Sequence, residues 1–304
     1  MSGYVGRLAP SPTGALHLGN VRTFMIAWLR ARSQGGRLLM RMEDLDHPRD
    51  KPGAAAQAVE DLRWLGFDWD EEFVQSERRQ YYRAAIERLH AAGLAYPCIC
   101  SRKDVENAQS APHEGEQLRY PGTCRERFAT WQDAAAVHPP CWRFRVEKGN
   151  TVRFTDVFTG DYGQDVAATL GDFPLARDID GAGYTLAVVV DDAAMGVTEV
   201  VRGDDLLPAT PAQIMVQHAL DLPTPDYCHV PLVVGPDGRR LAKRHGDTRI
   251  ASYRAAGVSP ETIIGRLASS CGWGDGSPVR LQDLLPAFTL ATIPHSPLVV
   301  DIGF

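Results

Sequence analysis

His17 lies within RLAPSPTGALHLGN, residues 7–20, where two prolines and two glycines interrupt any regular element. An imidazole beside glycines and a helix start can hold phosphate oxygens, because backbone N–H groups there point at whatever is bound. Arg7 and Arg202 carry planar guanidinium forks that match carboxylates. Glu43, Asp44 and Asp46 follow an apolar run in LLMRMEDLD, where carboxylates can face a bound ligand or cap a helix. Arg239, Arg240, Lys243 and Arg244 follow Gly235-Pro236-Asp237-Gly238, a basic loop suited to closing over a polyphosphate. Cys98 and Cys100 form a C-x-C pair after Pro97, a half-site for zinc, with His113, Tyr120, Cys124, His138 and Cys141 downstream. Ligand chemistry alone selects Cys98, Cys100, Cys124 and His113, since imidazole is a far commoner zinc ligand than phenol. Cys228 and Cys271 stand in apolar contexts and read as core.

The elements that must position these groups are partly legible. Residues 4–8 read as a strand, and beyond Gly19 the apolar residues Val21, Phe24, Met25, Trp28 and Leu29 mark one buried helix face. The layout is strand, glycine-containing loop, helix, although neither G-x-G-x-x-G nor G-x-x-x-x-G-K-[ST] is present. Residues 37–42 form a strand that delivers Glu43 to its carboxyl end, where open α/β sheets bind ligands. Helices follow with Ala55, Ala58, Val59, Leu62 and Leu65 inward, then with Tyr82, Ala85, Ile86 and Leu89 inward. Residues 185–190 are almost continuously apolar and end in Asp191-Asp192, the pattern expected of a strand buried on both faces. Residues 197–201, ending at Arg202, and 227–234 are further expected strands, and short β-type runs in 141–162 suggest a small insertion. Thr210 is expected to cap a helix that has Pro211 at its first position, and Ser259 to cap another.

At 304 residues the chain can bury a real core, as two domains or as one with appendages. No apolar run reaches the roughly 18 residues of a membrane span, and no secretory signal opens the chain, so a cytoplasmic location and reduced thiols are expected for its six cysteines. A formal charge of −6 does not advertise a nucleic-acid partner.

The string RLAPSPTGALHLGN resembles the HIGH signature of class I aminoacyl-tRNA synthetases in the form used by glutamyl-tRNA synthetases. LLMRMEDLDHPR, LGFDWD, DFPLARDIDG and YTLAVVVDDAAMGVTEVVRGDDLLPATPAQ resemble further segments of that family. Residues 240–244 resemble its KMSKS loop, with Arg240 for the first lysine, Ala242 for the serine and Lys243 as the retained second lysine. The resemblance implies an α/β fold: a Rossmann-like parallel-sheet catalytic domain, a small inserted zinc-binding module and a short helical C-terminal region. Its halves would be residues 1–97 and 171–235, with the module at 98–170 and the loop and tail at 236–304.

It also implies the chemistry. ATP, accompanied by Mg2+, and L-glutamate would form glutamyl-adenylate with no covalent enzyme intermediate, with His17 and Lys243 as the catalytic groups. Glutamate would be bound by Arg7, Leu8, Ala9, Pro10 and Ser11, by Glu43 at the ammonium, and by Tyr184 and Arg202. ATP would be held by Thr13, Gly14, His17, Gly19, Asn20, Arg240 and Lys243. The order C-x-C, then Y-x-x-x-C, is similar to the zinc module of short glutamyl-synthetase paralogues, and implies Zn2+ held by Cys98, Cys100, Tyr120 and Cys124. Only a short tail follows the second motif, where an ordinary glutamyl-tRNA synthetase continues into an anticodon-binding domain. Both features resemble the glutamyl-queuosine tRNA(Asp) synthetases, which place glutamate on queuosine in the anticodon of tRNA(Asp). A monomer with that tRNA as partner and no membrane is the expectation. The rival readings are a truncated glutamyl-tRNA synthetase charging a 3′ end, and a non-catalytic tRNA-binding paralogue.

Overall fold

The computed structural model describes residues 3–45, 50–108, 119–149, 151–179, 181–238, 241 and 248–299. Strand β1 (Val5–Leu8) runs into the proline-glycine loop, and α1 (Leu18–Ser33) leaves it. Strand β2 (Arg37–Met42) returns parallel to β1, and α2 (Ala54–Trp64) leads to β3 (Glu71–Val74), parallel to β2. Helix α3 (Arg79–Ala91) then precedes β4 (Ala95–Cys98).

The middle of the chain is built differently. After α4 (Arg102–Ala108) and α5 (Trp131–Ala135) come β5 (Cys141–Phe144) and an antiparallel hairpin of β6 (Thr151–Asp156) and β7 (Gly160–Asp165). Helix α6 (Val166–Thr169) and β8 (Pro174–Ala176) follow. Strands β4, β5 and β8 form an antiparallel sheet, so the region from 98 to 170 is stitched to the chain on both sides of it.

Helix α7 (Tyr184–Ala194) leads to β9 (Glu199–Gly203), and a 3-10 turn leads into α8 (Thr210–Ala219). Strand β10 (Asp226–Val230) lies parallel to β9. The pairs β1–β2 and β9–β10 meet where Thr198 N–H donates to the Val5 carbonyl at 2.9 Å. The order is therefore β3, β2, β1, β9, β10, with the sequence reversing its direction of travel between β1 and β9, the point where such folds open a ligand crevice. Beyond it lie β11 (Val233–Val234), α9 (Ile250–Ala255), α10 (Pro260–Ser269) and β12 (Leu298–Val299), the last parallel to β11.

The main core packs α1, through Val21, Met25, Ile26 and Leu29, against Leu8, Met40, Val230 and the α10 residues Ile263 and Leu267. Arg22 is buried there and ties α1 to the Pro231 carbonyl at 2.8 Å and the Ser270 hydroxyl at 3.0 Å. Three expectations are corrected. Residues 185–190 are helical, in α7, because an apolar run buried on every side fits a helix packed between α3, α8 and β8 as well as it fits a central strand. Thr210 is the first residue of α8 and caps nothing; the preceding 3-10 turn carries the chain into the helix and releases its hydroxyl for another partner. Residues 227–234 divide into β10 and β11, interrupted at Pro231, which cannot donate to a ladder. Among the described residues, no helix is long and apolar enough to cross a membrane.

A Cβ added at Gly265 in α10 would overlap the Ser277 carbonyl oxygen. Gly265→Ala, favoured by helix propensity, should therefore lower stability by about 1–3 kcal/mol, read as a fall in melting temperature.

Candidate active site

A cavity of about 420 Å³ opens at the β1–β9 crossing. Arg7, Ala9, Pro10, Ser11, Thr13 and Gly14 line it from β1 and the loop that follows. His17, Gly19 and Asn20 line it from the start of α1, Glu43 from the end of β2, Tyr184 from α7 and Arg202 from β9. Leu8 does not line it; fully buried, its side chain belongs to the main core. Arg240 and Lys243 lie outside the described residues.

His17 is the N-cap of α1. Its Nδ1 accepts the Gly19 N–H at 3.1 Å, and its own N–H donates to the Asn20 side chain at 3.2 Å. With Nδ1 accepting, a neutral ring carries its proton on Nε2, a donor suited to a phosphate oxygen at the positive end of the helix dipole. Gly19 lets the ring sit close, since a Cβ there would stand 3.0 Å from its Cε1. The chain at Thr248–Ile250 is tethered beside the first motif: Leu18 N–H donates to the Thr248 carbonyl at 3.2 Å, and Ile250 N–H to the Leu16 carbonyl at 3.0 Å.

The charged end of the cavity rests on three buried guanidinium groups. Arg41, fully buried on β2, bridges Asp192 of α7 at 2.5 Å and Glu43 at 3.1 Å. Arg7 donates from Nη1 to the Val201 carbonyl at 2.9 Å and stands 3.9 Å from Asp192, leaving Nη2 for a ligand. Burial lowers the Arg7 pKa from its ordinary value; Asp192 opposes this, while Arg41 and Arg202 add to it. Burial raises the Glu43 carboxyl, against the pull of Arg41 and Arg7. Arg202 is held on three sides: Nε donates to His229 Nε2 at 2.9 Å, and Nη2 to Thr210 Oγ1 and Gln213 Oε1, each at 2.8 Å. Its Nη1 lies 3.3 Å from the Tyr184 hydroxyl. The expected two-pronged fork of Arg202 is thus turned into the protein, and Nη1 beside the Tyr184 hydroxyl is what faces the cavity. An ion pair with Asp204, the plainest structural role for Arg202, does not form.

These residues match a family model described as tRNA synthetases class I (E and Q), catalytic domain, over residues 5–283. The chain belongs to the class I tRNA synthetases. Its resemblance to glutamyl-queuosine tRNA(Asp) synthetases is borne out by relatives of that name. It is 49% identical over 310 residues to the Glutamyl-Q tRNA(Asp) synthetase of Symbiobacterium thermophilum, covering 96% of this chain and 94% of that protein. It is 46% identical over 326 residues to that of Rhodopirellula baltica, covering 99% and 98%. A crystal structure of a glutamate tRNA ligase from Elizabethkingia meningosepticum, in complex with its amino acid, superposes with a TM-score of 0.83 at 26% identity, covering 97% of this chain and 66% of that one. As a member of this synthetase family the chain is a ligase.

Two residues that support the site were not singled out from the sequence. Arg41 and His229 stand inside otherwise apolar strands, and a charged or polar residue in such a run needs a buried partner. That signal could have singled them out; the identity of their partners, Asp192 and Asp156, could not be read locally.

Away from this cavity, Cys98, Cys100 and Cys124 bring their sulfurs within 4.8 Å of one another. Tyr120 Oη lies 3.3 Å from Cys98 Sγ and 3.6 Å from Cys100 Sγ, and Cys100 and Cys124 sulfurs are 3.6 Å apart. Ligands about 2.3 Å from a tetrahedral zinc stand about 3.8 Å from each other, so these four atoms fit the corners of one such site. Hydrogen bonding from Cys141 first, then from Tyr120 and the Cys100 N–H, holds the Cys98 thiol well below its usual range, and Arg143 adds to this. His113 lies outside the described residues. Elemental analysis should find about one zinc per chain, and Cys124→Ser should lower that content without abolishing glutamate binding.

Proposed function

We propose that this protein activates glutamate with ATP, without needing tRNA, and transfers the glutamyl group to queuosine in the anticodon of tRNA(Asp). The observation that carries the first half is charge. Where Arg7, Glu43, Tyr184 and Arg202 meet, two guanidinium groups oppose one carboxylate, while Arg41 and Asp192 behind them cancel. Counted over those five charged groups the balance is one positive charge in surplus, with Asp205 a further carboxylate on the cavity wall. Free glutamate, with two carboxylates and one ammonium, brings the complement. Glutamine would leave a buried guanidinium without its anion, a loss that binding cannot recover elsewhere.

In this reading Glu43 receives the ammonium, Arg202 with Tyr184 and Arg7 receive the carboxylates, and Ser11 adds a small polar contact. A glutamate α-carboxylate oxygen attacks the α-phosphorus of ATP, and the bond to pyrophosphate breaks. His17 Nε2–H and the first N–H groups of α1 meet phosphate oxygens, with Thr13, Gly14, Gly19 and Asn20 forming the seat. By resemblance, Lys243 meets charge growing on the leaving group and Arg240 contributes to ATP binding. Mg2+ bound with ATP would neutralise phosphate charge. In the second step a hydroxyl of the queuosine cyclopentene ring attacks the acyl carbon and AMP leaves. Structural zinc on Cys98, Cys100, Tyr120 and Cys124 would brace the inserted segment.

The relatives support the choice of acceptor. The chain covers nearly the full length of those named for glutamyl-Q, at close to half identity, but 66% of the solved glutamate ligase chain.

The protein should catalyse glutamate-dependent ATP–pyrophosphate exchange in the absence of tRNA. Arg7→Ala should raise KM for glutamate, and Lys243→Ala should lower the exchange rate by roughly 100- to 1000-fold with glutamate binding little moved. Labelled glutamate should be incorporated into tRNA(Asp) only when queuosine is present, and nuclease cutting should release the label with the anticodon fragment. Label on the acceptor-end fragment would sink the queuosine assignment; absence of exchange would sink activation.

A further inference from the structure

We infer that Asp156 and His229 are positioning residues that fix Arg202 in its glutamate-binding orientation through the tautomeric state of one imidazole. The inference rests on the glutamate reading of the cavity and deepens it. Neither residue lines the cavity, and both are buried, His229 fully and Asp156 at 2% exposure.

The hydrogen bonds determine where the proton on His229 sits. Arg202 Nε has a hydrogen and no lone pair, so His229 Nε2, 2.9 Å away, must accept. The ring proton is then on Nδ1, 2.6 Å from Asp156 Oδ2, and is donated to that carboxylate. A proton on both ring nitrogens would set two donors and two cations face to face at Arg202. Burial lowers the His229 pKa, and Arg202 reinforces this against Asp156, in keeping with the neutral ring. Thr210 Oγ1, 3.2 Å from Nε2 and 2.8 Å from Arg202 Nη2, closes the cluster.

Asp156 is itself locked. Its Oδ1 accepts the N–H groups of Phe158 at 3.0 Å and Thr159 at 2.9 Å in the turn between β6 and β7, and its carboxylate also accepts the His229 N–H. A residue of the inserted hairpin therefore reaches across β10 and sets the direction of a guanidinium on β9. Arg202 Nη1 is aimed at the cavity because Nε and Nη2 are occupied behind it.

Three substitutions separate this role from a merely structural one. In Asp156→Asn the two turn N–H groups retain the oxygen at the Oδ1 position, so the amide NH2 faces His229 Nδ1. The ring must then carry its proton on Nε2, directed at Arg202 Nε–H, and the anchor is lost although the side chains are isosteric. His229→Asn retains a group near Nδ1 for Asp156 but offers Arg202 no acceptor. His229→Gln retains an acceptor near Nε2.

In ATP–pyrophosphate exchange, Asp156→Asn and His229→Asn should each raise KM for glutamate roughly 10- to 100-fold, with KM for ATP moved less than about twofold. His229→Gln should recover most of the glutamate affinity. The opposite order for the two His229 variants, or equal increases in both KM values, would overturn the inference. The tautomer can be read without any substrate, from 15N-histidine NMR: a neutral ring protonated on Nδ1 in the parent protein, and on Nε2 in Asp156→Asn. An Nε2–H tautomer in the parent protein overturns the positioning role. Absence of exchange alongside the expected NMR result strikes at the glutamate reading instead.

Discussion

A guanidinium removed from water must be given back most of what water supplied, and three of them are buried around one crevice. That requirement organises the centre of this protein. Arg41 is compensated by carboxylates on two elements, Asp192 of α7 and Glu43 beyond β2. Arg202 has no carboxylate of its own and is held by an imidazole, a hydroxyl and an amide oxygen. Arg7 is the least compensated, with one carbonyl bond and a distant share of Asp192. The imbalance is useful. An ion pair closed within the protein has little left for a ligand, whereas a cation whose protein partners are neutral or distant gains most from an arriving anion. Arg41 is thus scaffolding, and Arg7 and Arg202 are the groups left to be satisfied.

The anchoring explains the reach of the site across the sequence. Glu43 stays close to the loop after β1 because its N–H donates to the Pro10 carbonyl at 2.9 Å. Asp192 comes from a helix whose inner residues are all buried, so its carboxylate is carried to Arg41 on a rigid element. His229 comes from the strand beside Arg202, at the same level of the parallel ladder. Each partner is supplied by packing that the core would need in any case.

The loop, the strand before it and α1 were legible because their information is local: prolines and glycines stop regular structure, and one apolar stripe identifies the helix. Glu43 was legible from its place after an apolar run. The resemblance, not the spacing, brought Tyr184 and Arg202 to the same cavity. What failed had a physical cause. In TLAVVV the apolar character has no period to read, and β-branched valines suggest a strand; Gly183 ahead of Tyr184 and the packing of α3 and α8 decide for helix. Thr210-Pro211 looks like a helix cap, yet the hydroxyl serves Arg202, since the 3-10 turn already feeds α8. Leu8 shares its neighbours' motif but faces the core side of β1.

The segment between β4 and β8 is held by a second buried carboxylate besides Asp156. Asp172 is 1% exposed and accepts from Arg125, from the Val146 N–H at 2.8 Å and from the Tyr96 hydroxyl. Tyr96 lies on β4 two residues before Cys98, and Arg125 directly follows Cys124. Asp172 therefore fixes the two chain segments that carry three of the four candidate ligands, while Tyr120 is bridged to Gly171 next to it. Zinc on Cys98, Cys100, Tyr120 and Cys124 would thus brace segments that Asp172 also joins.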